Sequence, residues 1–228
     1  MSIQSKFQLL FFLLLSLPVQ IVMAATPAGE VAELSGKVWA TQGSEAPRKL
    51  ETGDPIFEQD YIKTYPNANI KLVFRDKTRF ELGASAEFRV NKFNFNKAGK
   101  KDGIVAKVFK GTFRFFSGLI AKRSSRSMTV QTSMATIGIR GTQVVGEVSE
   151  TSATIILLEP EDKARATSIE VSNSFGSVII DEPGYGTEIP DQFSPPSPPR
   201  RMRLQTINNL TRSIQRMQRM NTPRPRIR

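Results

Sequence analysis

The sequence predicts an all-β fold, a sandwich or short β-solenoid of many short strands, with a C-terminal basic amphipathic helix. Three observations carry this expectation. Between Glu30 and Ile189 apolar residues recur at every second position, the period of a strand with one buried face, and no helical period is sustained there. Turn-forming residues return roughly every 8 to 12 positions, the spacing of short strands in layered or coiled β folds. "SGKVWA", "KGTFRFF" and "FGSVII" each place Gly two residues before a large apolar residue entering a strand, a weak repeat that keeps the solenoid open beside the sandwich.

The chain opens with one cation at Lys6, an apolar run from Leu9 to Val22, and small residues at Ala24 and Ala25. That pattern predicts a signal peptide over residues 1–24, cleaved after Ala24 or Ala25, and a mature protein in the periplasm or secreted. An uncleaved anchor would want about 20 apolar residues, and Pro18 and Gln20 interrupt this run. No Cys follows it, so a lipoprotein anchor is not expected, and no later segment is apolar enough to span a bilayer.

A β domain is expected over 26–190. "NIKLVFRDKTRFEL" puts Ile70, Leu72 and Phe74 on one face, turns at Arg75–Thr78 and returns with Phe80 and Leu82, a hairpin with one buried side. Phe88 and Val90 share one parity while Phe93 and Phe95 share the other, so a bulge is expected between them. After a turn at Lys100–Gly103, Phe109, Phe113 and Phe115 fall on one face and Lys110 and Arg114 on the other. Short β-branched runs follow at Ala153–Leu158, Ser168–Val171 and Ser177–Ile180, and the lone Trp39 is expected in the core. Prolines in "PDQFSPPSPPRRMR" predict an extended linker over 191–203. In the tail, 204–228, Ile207, Leu210, Ile214 and Met217 recur at helical spacing opposite Arg212, Arg216 and Arg219. The three arginines are the candidate anion- or partner-binding residues.

Composition narrows the chemistry. There is no Cys and no His, which removes thiolate nucleophiles, a Ser-His-Asp triad and the usual zinc ligands. The net charge of +11 is concentrated after Ser194, where nine Arg meet no acid, while the β domain is nearly neutral. A basic tail on an exported chain points to an anionic envelope polymer, a lipid surface or an acidic envelope protein, not to nucleic acid. Glu159–Asp162 lacks the alternating oxygen ligands of a calcium loop, and no carboxylate pair stands out, so no metal, cofactor or catalytic residue is expected.

"LETGDPI", "DYIKT", "FRDKTRFEL", "FKGTFRF" and "TSMATIGIRGTQV" occur in that order, and the chain resembles the periplasmic FecR domain in them. The motif positions fall on Gly53, Asp54, Asp76, Thr132, Arg140, Gly141 and Thr142, and the resemblance spans about Val31 to Ile189. Three residues depart from the family pattern: Gln59 and Lys77 stand where it has Gly, and Ser133 where it has Pro. The resemblance implies a protein-interaction module related to signalling. Family members that regulate sigma factors add a cytoplasmic segment and a membrane helix; with only a signal peptide read ahead of the domain here, a stand-alone exported form is expected. Arg140 is expected at a strand end, paired with Asp54 or Asp76, with Gly141 free to take a φ that favours glycine. Exposed aromatics in a groove would instead favour a carbohydrate-binding protein of the envelope, holding peptidoglycan or exopolysaccharide. The interleaved "NKFNFNKAGKK" is the first place to look for them. An exposed strand edge would favour a protein partner.

Overall fold

The computed structural model describes residues 25–96, 102–123, 127–161 and 167–215. The strands are β1 Gly29–Ser35, β2 Val38–Gln42, β3 Arg48–Lys49, β4 Pro55–Ile56, β5 Asp60–Thr64, β6 Asn69–Phe74, β7 Arg79–Leu82, β8 Glu87–Asn94 and β9 Gly103–Phe116. After the short helix α1, Leu119–Arg123, follow β10 Met128–Thr132, β11 Thr136–Arg140, β12 Gln143–Val148, β13 Ala153–Leu158, β14 Ser168–Asn173, β15 Gly176–Ile180, β16 Tyr185–Ile189 and β17 Arg200–Arg201. Helix α2, Leu204–Gln215, ends the described chain.

The strands form one connected mixed sheet folded into two facing layers, not closed into a barrel. The first layer runs β4-β1-β6-β7-β9-β12-β13-β16-β17, and the second β3-β2-β5-β8-β9-β10-β11-β14-β15. Among the described residues every pair is antiparallel except β9–β10, whereas a solenoid would stack its coils in parallel. Strand β9 belongs to both layers. Its first half pairs β8 and β10, and its second half, after Gly111 at φ 98°, pairs β7 and β12. A Cβ on Gly111 would lie 2.6 Å from Cα of Ala86, so the crossing needs glycine for space as well as for φ.

The core lies between the layers. Phe80 of the first packs 4.9 Å from Phe88 of the second, and Phe74 lies 5.5 Å from Phe93. The Phe74/Phe80 hairpin and the bulge between Val90 and Lys92 stand where the apolar parities place them. Two expectations are corrected. Trp39 is not in the core: Val38 and Ala40 point inward, which turns the indole to the outer face of the second layer. Phe109 does not share the face of Phe113 and Phe115. The register passes from Phe88↔Val108 to Glu87↔Lys110, leaving Phe109 as a bulge residue on the outer face.

Helix α2 lies on the outer side of the first layer. Leu210 and Ile214 are buried in one cluster with Val145, Ile156 and Met202, with Ile207 and Leu158 packed against it, and Asn69 Nδ2 donates to the carbonyl of Ile214 at 3.1 Å. Its apolar stripe is therefore spent within the molecule, leaving Arg212 exposed. Met217, Arg216 and Arg219 lie outside the described residues.

Candidate functional site

Most of the motif residues form turns. Gly53 has φ 93° and donates to Val31 O at 2.8 Å, while Asp54 Oδ2 accepts from the Glu51 amide at 2.8 Å. Asp76 is buried. Its carboxylate accepts from Thr78 N (3.0 Å), Thr78 Oγ1 (2.7 Å) and Ile120 N (3.3 Å), and its carbonyl accepts from Leu119 N (2.7 Å), tying the β6–β7 turn to α1. Gly118 fits because a Cβ there would meet Asp76 O at 2.3 Å. Thr132 Oγ1 accepts from Met134 N (3.1 Å) and Ala135 N (2.9 Å), closing the β10–β11 turn. Thr142 is buried, and its carbonyl accepts from Ser117 N at 3.0 Å. Gln59 and Lys77, standing at the expected glycine positions, have φ 70° and 69°, so those sites keep a left-handed backbone without glycine.

Arg140 departs from expectation. Gly141 has φ 65°, but Arg140 is exposed and makes no hydrogen bond or ion pair among the described residues; neither Asp54 nor Asp76 is its partner. The alternation decides this: Ile137 and Ile139 are buried, so Thr136 and Arg140 face outward. Among the described residues, ion pairs to buried carboxylates lie elsewhere, between Arg48 and Asp60 at 2.6 Å and between Arg123 and Asp102 at 2.7 Å.

Beside Gly141 lies a shallow open depression of about 110 Å³, lined by Phe116, Lys122, Gln143 and Glu161. Arg79 and Arg114 sit over the Phe116 ring at 4.2 and 4.5 Å, Arg79 is ion-paired with Glu161, and Arg114 donates to Gln143 Oε1 at 3.1 Å. Burial lowers the Arg114 guanidinium from its ordinary value. The volume is well below the roughly 300–1,000 Å³ of small-molecule sites. Among the described residues no three acidic side chains gather to hold a metal; Asp162 lies outside them. In the "NKFNFNKAGKK" stretch Phe93 is buried and Phe95 half-buried with Arg123 at 4.8 Å over its ring, while Lys97, Lys100 and Lys101 lie outside the described residues.

The sheet ends differ sharply. Three of the four layer ends carry two-residue strands, β3, β4 and β17, the short edges that block strand addition. The fourth is β15, five residues that pair only with β14 among the described residues. It carries no charge, Ile179 on it is 62% exposed, and Phe175 (50%) and Phe193 (70%) stand at its start with rings 6.5 Å apart. This site was missed in the sequence: "FGSVII" reads as a strand, but which strand ends a layer is set by distant pairing.

Two crystal structures of a "putative anti-sigma factor" from Parabacteroides distasonis share the fold, each with TM-score 0.50, at 11% and 12% identity. In both, the match covers 67% of this chain and 64% of that chain, so this chain spans less than two thirds of their length. No curated protein matches the sequence. The family model described as FecR protein matches residues 60–160, from the start of β5 to just beyond β13. It takes in the Asp76 turn, the Thr132 turn and Arg140–Thr142, and over this stretch the chain is similar to the FecR protein family.

Proposed function

We propose that the chain is a non-catalytic, signalling-related interaction module of the bacterial envelope that takes an extended segment of a partner protein onto β15. The observation that carries this reading is the β15 edge: uncharged, five residues long, and flanked by exposed Ile179, Phe175 and Phe193. An added strand would satisfy the outward backbone groups, and Ile179 would supply specificity by side-chain contact. The similarity to the FecR protein family and the fold shared with the P. distasonis protein support a regulatory role through protein partners. The N-terminal leader pattern supports export, and no helix among the described residues is long and apolar enough to cross a membrane. Phe175 and Phe193 meet at 79°, an edge-on pair and not a flat platform for a sugar ring, which favours protein over carbohydrate at this edge.

A photo-crosslinking residue at position 179, expressed in cells, tests the reading. It is expected to form a discrete protein adduct that the same probe at Glu147, exposed on the outer side of the first layer, does not form, and a partner peptide from that adduct should lose binding to Ile179→Lys at unchanged melting temperature. Absence of any adduct, or equal binding by Ile179→Lys, rejects the edge.

A further inference from the structure

The outer face of the second layer carries a pattern that the β15 edge does not use. In register across six adjacent strands stand Tyr61, Arg89, Lys107, Gln131, Thr136 and Ser172, each directly opposite the next. At ~4.8 Å per strand this row is about 24 Å long. Every member carries a hydrogen-bonding side chain, cationic toward one end and amide or hydroxyl toward the other. None is buried, and among the described residues no helix covers them.

The cationic end is built. Arg89 lies over both Tyr61 (5.4 Å) and Phe109 (5.5 Å), and Lys107 lies over Phe109 at 4.8 Å, so aromatic rings hold the charges in place. Arg89 Nε is buried without a hydrogen-bond partner. On the same strands Lys63 and Lys110 add charge, and the carboxylate among them, Glu87, is taken by both lysines and by the Tyr61 hydroxyl. The domain as a whole is nearly neutral, so this excess of cations is a local segregation.

We propose that this row is a binding track for a linear acidic polysaccharide, whose carboxylates meet Arg89 and Lys107 while its hydroxyls meet Gln131, Thr136 and Ser172. The charge sign selects an anion. The neutral hydrogen-bonding half selects a ligand rich in hydroxyls, which neither a bilayer surface nor a phosphate backbone supplies along its length. No strongly exposed apolar side chain stands on the row to enter a bilayer, and the aromatic faces are already occupied by cations, leaving none free to stack on bases.

The sole tryptophan, Trp39, sits on this face and gives a reporter of binding. Full-length mature protein is titrated with polygalacturonate oligomers and followed by Trp39 fluorescence. Neutral dextran, a single-stranded oligonucleotide and phosphatidylglycerol vesicles serve as parallel probes. Polygalacturonate is expected to shift the emission. The Arg89→Gln/Lys107→Gln variant should bind about tenfold more weakly, Lys71→Gln on β6 of the first layer should bind unchanged, and dextran should give no response. Thr136→Val, an exposed position with no folding role, should weaken binding several-fold and covers the case in which the double variant does not fold. Absence of a Trp39 response, equal binding by Thr136→Val, or a tighter response to the oligonucleotide or the vesicles would overturn the proposal.

Discussion

On the outer side of the first layer Val145 and Ile156 are buried beneath α2, whereas on the outer side of the second layer Trp39, Tyr61, Arg89, Lys107 and Phe109 stand half-buried with no helix above them among the described residues. Both surfaces belong to one continuous sheet and share β9. The difference lies in the outward-facing residues of each strand. Apolar side chains on β12 and β13 need a cover, and the amphipathic stripe of α2 supplies it. Cations stacked on aromatic rings remain hydrated at their tips and need none. A helix that looked free to lie on an anionic surface is thereby committed to its own domain, with Arg212 left exposed on it.

The comparison breaks most readily at Val145. Val145→Asp places an unpaired carboxylate under α2 and is expected to cost about 3–5 kcal/mol, while Thr129→Asp on the other outer face should stay within about 0.5 kcal/mol. Urea unfolding curves of the two variants, with amide exchange of 204–215, test the contrast. Equal midpoints would mean that α2 does not shield the first layer.

Two glutamates sharpen it through pH. Burial pushes the Glu81 carboxyl on the first layer up, against the pull of Arg114, Lys71 and Arg79. Burial alone would also raise Glu87 on the second, but hydrogen bonds from Tyr61, Lys63 and Lys110 outweigh it and hold that carboxyl below its usual range. The Glu87 contribution is therefore present above the ordinary carboxylate value and is lost as pH falls through its depressed folded value. Glu81 acts in reverse: its contribution is complete below the ordinary value and is lost as pH rises through its raised folded value. Glu87→Gln should lower stability at neutral pH and flatten the loss on acidification. Glu81→Gln should not lower it at neutral pH and should remove part of the gain on approaching about pH 4. Unfolding midpoints across that range, with the same slope for both variants, would deny the opposite signs.

The smallest effect belongs to Arg140. Exposed and unpaired among the described residues, its change to Ala should shift stability by no more than about 0.5 kcal/mol, read as a nearly unchanged melting temperature. A loss of several degrees would restore a structural role to that guanidinium.

What the sequence made legible was local alternation. Ile70, Leu72, Phe74, Phe80 and Leu82 announce their hairpin because both strands keep one parity across a short turn. Phe109 misleads because a bulge resets parity without any change in composition, and Trp39 because its neighbours are also apolar. Arg140 was readable in principle, since Ile137 and Ile139 already take the inward positions. "ATIILL" is apolar on both parities, the signature of a strand covered on two sides, a signal of the docked helix that local alternation does not reveal. The β15 edge and the six-strand row were not readable, because each depends on which distant strands become neighbours.

Because the same fourteen residues of β9 serve both layers, neither layer can melt and leave the other standing. Each half of the strand is hydrogen-bonded on two sides, to β8 and β10 and then to β7 and β12, so its amides become exchangeable only when the whole domain opens. Partial openings are left to the periphery, at β15, at the two-residue edges and at α2. Binding at an edge can thus come and go against a body that unfolds as one cooperative unit, and the strands that β9 must gather from distant parts of the chain make its assembly a slow, late-committing event.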